Sequence, residues 1–199
     1  MRRLLISLLT LMLPGVAAAA DLVVTVHTAA GAPVADAVVT LPEARGPLRG
    51  TGPYRMAQHD LQFDPFVLVA PVGAEVAFPN LDRVRHHVYS FSPAHPFELK
   101  LYGRDESRSV RFDKPGVIAL GCNIHDSMVG FIVVVDTPFA AKTDAAGVAV
   151  IHDAPAGVQV IRVWHPYLRA PGNALATRGA GRVAVTADVR APPARRSLY

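Results

Sequence analysis

Residues 117–135 read VIALGCNIHDSMVGFIVVV, two apolar runs separated by a polar loop. Each run has the length and the aliphatic, β-branched composition of a strand, so we expect two strands joined by a loop that begins at Cys122. Similar short runs occur on both sides of this stretch, and turn residues such as Pro115 and Gly116 separate them. Many short strands at this spacing predict an all-β fold, either a sandwich or a barrel.

The composition of the 199-residue chain supports this fold class. Hydrophobic residues make up 51% and charged residues 18% of it, which argues against a disordered chain. The 17 prolines and 15 glycines are too many for a bundle of long helices. Cys122 is the only cysteine, so a disulfide within the chain is impossible.

The first 20 residues predict export. Arg2 and Arg3 precede the apolar run 4–13, which a Pro-Gly pair ends before an Ala-rich segment. This order is typical of a secretory signal peptide, with cleavage expected after Ala20 and a periplasmic location. A membrane anchor is the alternative, but the run is short and interrupted, and no other segment is apolar enough to span a bilayer. Without these residues the formal charge falls from +4 to +2, which is too weak to indicate nucleic-acid binding.

The predicted strands fall into a dense central region and two sparse flanks. The central region, residues 54–136, follows a linker at 42–53 that is rich in Gly, Pro and Arg. Neither flank, 21–50 or 137–190, has enough strands to close a sandwich alone. We therefore expect the flanks to form one small sandwich of about five strands, into which the central region is inserted; two domains in series are the alternative. Residues 191–199 are expected to be a loose tail. The predicted strands are residues 22–27, 37–41, 66–70, 74–78, 87–91, 97–101, 109–112, 117–120, 129–135, 148–152, 158–164 and 182–189.

The loop after residue 121 carries a group of metal-binding side chains. Cys122, His125 and Met128 are spaced three residues apart, and they offer a thiolate, an imidazole and a thioether. Two adjacent histidines, His86 and His87, open a predicted strand earlier in the chain. One Cys, two His and a distant Met are the ligands of a trigonal copper site with a weak axial ligand. Zinc is the competing metal, but structural zinc sites rarely use Met and usually contain more than one Cys.

The residues alone do not decide which of the two histidines is the ligand. Neighbouring residues of a strand point to opposite faces, so His86 and His87 cannot both reach one site. The alternation of apolar residues does not settle the choice, although the face of the strand that carries His87, Tyr89 and Phe91 is the more apolar of the two. Taken singly, a Cys or Met beside a strand is more often part of a core, so the copper interpretation depends on the joint pattern.

Other histidines and one methionine are weaker candidates. His27, His152 and His165 lie in the flanks, and we expect them at the surface or as caps of the backbone rather than as ligands. Met56 and His59 are close enough in sequence to bind a second copper ion. An ordinary edge strand at this position is the favoured interpretation.

The central region resembles a cupredoxin, the blue copper fold of plastocyanin and amicyanin. Phe78-Pro79-Asn80, followed six residues later by His86, resembles the segment that holds the first His ligand, and the spacing from Cys122 resembles the short ligand loop of amicyanin. The whole mature chain is similar to bacterial proteins labelled methylamine utilisation proteins. The flanks resemble transthyretin-like or carboxypeptidase-regulatory sandwiches. The matching segments are residues 56–58, 78–82, 86–92, 97–102, 121–125 and 136–138, and those of the flanks are 143–147 and 162–166.

This resemblance implies a role for each motif residue. Hydrogen bonds from Asn80 would connect the loop that contains His86 to the strand that contains Cys122. His87, where plastocyanin-like proteins commonly carry Asn, would be a surface group or a neighbour of the site. One type 1 copper ion would have four ligands, namely His86, Cys122 and His125 in the equatorial plane and Met128 on the axis.

The sequence is consistent with three functions. The resemblance implies an electron carrier that exchanges electrons with a periplasmic redox enzyme or a cytochrome. No acid–base pair, nucleophile triad or phosphate loop is evident, so an enzyme is not expected. The alternative is copper binding and delivery without redox turnover, which Met56, His59, His87 and His95 could serve. A third and weaker hypothesis has the flanking sandwich bind a glycan or a protein, with copper in a structural role.

Overall fold

Seventeen strands and one 3₁₀ helix make up the computed structural model, which describes residues 19–50 and 52–191. No α-helix occurs in these two ranges, and the predicted all-β class is confirmed. The elements are β1 (Ala20–His27), β2 (Val38–Thr40), β3 (Tyr54–Arg55), β4 (Ala57–His59), β5 (Gln62–Asp64), β6 (Val67–Pro71), β7 (Ala74–Pro79), β8 (His86–Ser90), β9 (Phe97–Tyr102), β10 (Ser107–Phe112), β11 (Gly116–Cys122), β12 (Val129–Val135), β13 (Ala140–Lys142), β14 (Val148–Ala154), β15 (Gln159–Trp164), the 3₁₀ helix (Pro171–Asn173), β16 (Ala174–Gly179) and β17 (Arg182–Thr186).

Most of the predicted signal peptide and of the predicted tail lies outside the described residues. β1 begins at Ala20, the residue after which cleavage is predicted. Within the described ranges, no helix is long and apolar enough to cross a membrane.

The central strands form two sheets that share one core. The strand order is β6-β12-β11-β8-β9 in the larger sheet and β10-β7-β3 in the smaller one. Side chains of both sheets meet in a buried cluster, among them Phe78 from β7, Phe112 from β10, and Ile118 and Ile132 from β11 and β12. β4 and β5 pair as a separate hairpin, and Phe63 of this hairpin joins the same cluster. The arrangement is a β-sandwich, as the sequence predicts.

Strands that precede and follow the central region pair with each other. β1 lies between β14, with which it is antiparallel, and β17, with which it is parallel. β2 lies between β13 and β15, and β16 completes that four-stranded sheet. The two sheets enclose a second apolar core that includes Val24, Val39, Ile151 and Ile161. β1 reaches this core because every second residue from Leu22 onward is buried, the period of a strand with one inward face.

An apolar junction cluster connects the two groups of sheets. It consists of Val38, Val67, Val133, Val135 and Trp164. The ring centroids of Phe131 and Trp164 are 5.7 Å apart in an edge-to-face arrangement, which aromatic pairs prefer. The outer face of β6 and β12 is therefore covered by strands of the flanks rather than by solvent.

Four strands have no counterpart among the sequence predictions, namely β3, β5, β13 and β16, whereas β4 lies where an ordinary edge strand is the favoured interpretation. The first three are two or three residues long, and such lengths give no readable alternation. β16 reads ALATRG, a composition with low strand propensity. It forms because β15 offers an edge along which six residues of each strand pair in register.

Candidate metal centre

Strand pairing brings the predicted ligands to one end of the central sandwich. β11 ends at Cys122 and is antiparallel to β12, so the connecting loop 123–128 projects beyond the end of this hairpin. β8 is the other neighbour of β11, and Cys122 lies opposite Val88. His86 is two residues before Val88 and faces the same way, so its ring lies beside the thiol of Cys122.

The ring of Tyr89 lies close to the backbone of β11 beside Cys122. Gly121 lies opposite Tyr89, and a Cβ atom on Gly121 would be 2.7 Å from the Tyr89 ring. Because glycine has no Cβ, the ring can lie directly over the strand next to Cys122.

Three donor side chains form one compact cluster. The donor atoms of His86, Cys122 and His125 all lie within 4.8 Å of one another. Sγ of Cys122 is 3.7 Å from Nδ1 of His86 and 3.7 Å from Nδ1 of His125. A metal ion with bonds of about 2.3 Å to sulfur and about 2.0 Å to nitrogen, spaced about 120° apart, needs a sulfur–nitrogen separation of about 3.7 Å. The cluster therefore fits a trigonal ion, and it is the one such group of His, Cys, Asp or Glu side chains within residues 19–50 and 52–191.

The surroundings of these donors keep them available to a metal. Cys122 is 2% exposed and has no disulfide partner. Burial lowers the pKa of His86, while its hydrogen bond to Asp82 acts in the opposite direction. The net effect favours the neutral imidazole, which is the form that binds metals. A buried thiol between two imidazoles is a donor set that suits copper.

Met128 lies in the apolar core that also contains Cys122. It is 1% exposed, and its backbone N–H donates a 2.9 Å hydrogen bond to the carbonyl of His125, which closes the loop. The structure thus brings three of the four predicted ligands into one cluster and places the fourth in the adjoining core.

Asp82 belongs to the site, although the sequence analysis does not single it out. Its Oδ2 lies 2.8 Å from Nε2 of His86, the ring nitrogen that faces away from Cys122. Burial raises the pKa of Asp82, but hydrogen bonds from the Leu61 N–H, from His86 and from the Asp60 N–H outweigh it, so the pKa lies below its usual value. The sequence signal is only an acidic residue four positions before a histidine, which does not indicate contact in a loop.

The predicted link from Asn80 to β11 is wrong. Nδ2 of Asn80 donates hydrogen bonds to the carbonyls of Val84, at 2.8 Å, and Tyr102, at 3.2 Å. Its Oδ1 accepts a 2.9 Å hydrogen bond from the Asp82 N–H. Asn80 therefore ties its own loop together and fastens it to β9. The physical reason is the strand order, in which β8 separates β9 from β11.

His87 lies outside the donor cluster. Its Nε2 is 2.8 Å from Oε1 of Glu98 on β9, and its side chain is 17% exposed. Burial alternates along β8, so His86 faces the core while His87 faces the other way. The structure places His86, and not His87, with Cys122 and His125.

The weaker candidates are not assembled into a second cluster. Met56 is fully buried in the core, whereas the side chain of His59 is half exposed beside Asp60. His95 packs its ring 4.8 Å from that of Phe112. His165, expected at the surface or as a cap of the backbone, is buried, with 7% exposure, and acts as a cap: its Nδ1 accepts a 3.2 Å hydrogen bond from the Tyr167 N–H.

Comparison with known proteins gives similarities to copper proteins among solved structures. No protein-family model matches the chain, and no curated protein matches it. Similar structures include the Cu-containing nitrite reductase of Thermus scotoductus SA-01, with 30% identity and a TM-score of 0.41 over 48% of this chain. The chain spans 25% of the length of that reductase. An oxidised amicyanin variant has 21% identity and a TM-score of 0.38, covering 41% of this chain and 81% of amicyanin. A purple cupredoxin from Nitrosopumilus maritimus has 21% identity and a TM-score of 0.38, covering 41% of this chain and 99% of the cupredoxin.

Proposed function

We propose that this protein is a cupredoxin that binds one type 1 copper ion and carries electrons. The observation that supports this most strongly is the donor cluster, in which one thiol and two imidazole nitrogens stand at the mutual distances of a trigonal copper site. The ligands would be His86, Cys122 and His125, with Met128 as a weak axial fourth.

The chain's own residues favour rapid electron exchange over substrate chemistry. Copper in such a site supplies a one-electron couple between Cu(I) and Cu(II). Cys122 and His86 are carried by paired strands and are buried, so their positions are constrained in either state. Little rearrangement then accompanies the change of charge, which keeps the barrier to electron transfer low.

Burial on one side of the cluster and access on the other suit this role. Cys122, His86 and Met128 are each at most 2% exposed, which keeps water from the donors. His125 is partly exposed, so its ring connects the buried donors to the surface. We propose that the electron partner is a periplasmic redox enzyme or a cytochrome, reached after export directed by residues 1–20.

Copper delivery is the less favoured function on this structure. It would need further donors that solvent copper can reach, and the candidates were Met56, His59, His87 and His95. Met56 is fully buried, His87 is paired with Glu98, and His95 packs on an aromatic ring. Of these four candidates, only His59 offers an exposed imidazole, and none of the other three is available to bind a metal ion with it.

Two finer resemblances stay predictions from the sequence. They are the similarity of the chain to methylamine utilisation proteins and the similarity of the flanking sandwich to transthyretin-like repeats. Glycan binding by the flanking sandwich is a separate hypothesis from the sequence.

The test is copper loading of the full-length protein with spectroscopy and voltammetry. An electron carrier should bind one equivalent, show intense visible absorption from the thiolate, and give a reversible potential. Colourless binding of more than one equivalent of Cu(I), without a reversible couple, would instead establish delivery.

A further inference from the structure

The imidazole of His86 is held at both of its nitrogens. Nδ1 faces Sγ of Cys122 at 3.7 Å, while Nε2 lies 2.8 Å from Oδ2 of Asp82. The Asp82 side chain is 11% exposed, so this hydrogen bond is largely shielded from water. A carboxylate accepts only, so Nε2 carries the hydrogen and Nδ1 presents its lone pair toward the thiol.

The carboxylate of Asp82 is itself held by a turn that is distant in sequence. It accepts hydrogen bonds from the backbone N–H groups of Asp60, at 2.7 Å, and Leu61, at 3.1 Å. These two residues form the turn between β4 and β5, and both have positive φ, 52° and 55°. In this conformation, consecutive N–H groups converge on one anion. The turn lies more than 20 residues before Asp82 in sequence, so the contact is tertiary.

We propose that Asp82 is the positioning residue of the metal centre and that the β4–β5 turn holds its carboxylate in position. This hairpin then contributes to the geometry of the site. The inference rests on the proposed function, because His86 must be a metal ligand for its orientation to matter. Asp82 touches neither the metal nor the thiol; it acts through the ring of His86.

A positioning role for Asp82 would change the donor strength of His86, which packing alone would not do. A carboxylate on the far nitrogen makes a ligating imidazole a stronger donor and fixes its ring plane. A stronger donor stabilises Cu(II) relative to Cu(I), so Asp82 should lower the reduction potential. Loss of such a contact typically weakens metal binding about 10- to 100-fold.

The chain contains a matched control one residue away. His87 and Glu98 form a histidine–carboxylate pair with the same 2.8 Å separation between Nε2 and the carboxylate oxygen. His87 is outside the donor cluster, so neutralising Glu98 removes a similar charge and hydrogen bond without touching a donor.

The experiment compares Asp82→Asn, Asp82→Ala and Asp82→Glu with Glu98→Gln in the full-length protein. With copper bound, Asp82→Asn should raise the reduction potential and reduce copper affinity about 10- to 100-fold. Asp82→Glu should recover part of both effects, and Glu98→Gln should change neither. The proposal is overturned if Asp82→Asn has the wild-type potential and affinity, or if Glu98→Gln shifts them equally.

A second readout uses the metal-free protein and separates this inference from the proposed function. In ¹⁵N NMR spectra, the ring of His86 should be a single Nε2–H tautomer in the wild type and a mixture in Asp82→Ala. The Asp60 and Leu61 amide signals should shift in the same variant. An unchanged tautomer in Asp82→Ala would refute the positioning role, whether or not copper binds. Failure of the wild type to bind copper, with the tautomer result as expected, would refute the electron-carrier proposal and leave Asp82 as the group that orients the His86 ring.

Discussion

Cys122 supplies the one sulfur anion that the chain can offer to a metal. We therefore predict that Cys122→Ser abolishes the intense visible absorption of the copper-loaded protein, because a hydroxyl does not provide thiolate donation. The metal-free variant should stay folded, since the substitution replaces one atom in a buried side chain. Absorption spectra and metal counts measure the first effect, and circular dichroism checks the second. Retention of the intense band by the Ser variant would exclude Cys122 as the ligand.

Met128 should adjust the site more than it holds the metal. Met128→Leu is close to volume-conserving at this fully buried position, so we expect a stability loss below about 1.5 kcal/mol. Removal of a weak axial donor should leave copper bound and raise the reduction potential. Voltammetry and metal analysis of the variant test this. Complete loss of copper would make Met128 a principal ligand and would require a different geometry.

His165 gives the molecule a pH dependence that does not involve the metal centre. Burial lowers its pKa from the usual 6.5, with Asp36 acting in the opposite direction. The unfolded chain therefore binds more protons than the folded one. The contribution of His165 to the free energy of unfolding is fully present above about pH 6.5, and it falls as the pH is lowered toward the pKa of the folded state.

The corresponding prediction compares His165→Asn with the wild type. Asn keeps an acceptor for the Tyr167 N–H and cannot titrate. In metal-free protein, the loss of unfolding free energy on acidification should be shallower in the variant, by at most about 1.4 kcal/mol per pH unit. Denaturant unfolding over a pH series measures the slopes, and identical slopes would show that His165 is not responsible.

The choice between His86 and His87 shows what the residues could and could not predict. Hydrophobicity along β8 favours the face of Tyr89 and Phe91, yet that face is outward and Phe91 is 83% exposed. The resemblance to cupredoxins, through the spacing from Asn80 to His86, implies the histidine that the structure places in the cluster. Side-chain polarity misleads here because two residues of the inward face, His86 and Ser90, make hydrogen bonds with Asp82 and with a backbone N–H, which a strand pattern does not reveal.

Among the strand pairs, β8 and β11 are close at Gly121, which leaves room for the Tyr89 ring. We predict that Gly121→Ala destabilises the fold by about 1–3 kcal/mol, because the new Cβ would clash with the Tyr89 ring and force it to move. The copper spectrum should also shift, since Cys122 is the next residue. Denaturant unfolding and absorption spectra measure the two effects.

Gly103→Ala is the matched control for this substitution. Its Cβ would meet only the Glu106 carboxylate at 3.3 Å, the end of a flexible side chain. We expect a change within about 0.5 kcal/mol and no spectral shift. Equal destabilisation by both substitutions would mean that the close approach at Tyr89 has no special importance.

The two hairpins at the site differ in how much of them local sequence encodes. The loop after Cys122 and its two strands could be predicted because the apolar runs 117–120 and 129–135, on either side of a polar loop, have a clear signal. The β4–β5 hairpin could not, because each strand has three residues and its position depends on Asp82, which contacts it through the turn. The orientation of His86 therefore depends on tertiary contacts that no local pattern contains.

At the scale of the molecule, we propose that residues 21–50 and 137–190 form one folding unit around the central sandwich. β1 is the middle strand of one flanking sheet, and β2 is an inner strand of the other. A fragment of residues 137–191 lacks both, so we predict that it does not fold alone and aggregates through its open edges. Circular dichroism and NMR dispersion test this, and cooperative unfolding of that fragment would refute the proposal.

The central fragment, residues 54–136, should fold and bind copper because its core draws on its own strands. It should be less soluble than the full chain, because removal of the flanks exposes Val67 and Val133 of the junction cluster. Which strands pair across such long separations is not encoded in local sequence: the sequence predicts about five flanking strands, whereas seven lie outside residues 54–136 among the described residues, namely β1, β2 and β13–β17.

X-ray absorption at the copper edge of the loaded, full-length protein tests the proposed ligand set most directly. The proposed site predicts a first coordination shell of one short sulfur and two imidazole nitrogens, from Cys122, His86 and His125, with any second sulfur at a longer distance. A shell of nitrogen and oxygen atoms alone, without a short sulfur, would contradict the claim that this cluster is a type 1 copper site.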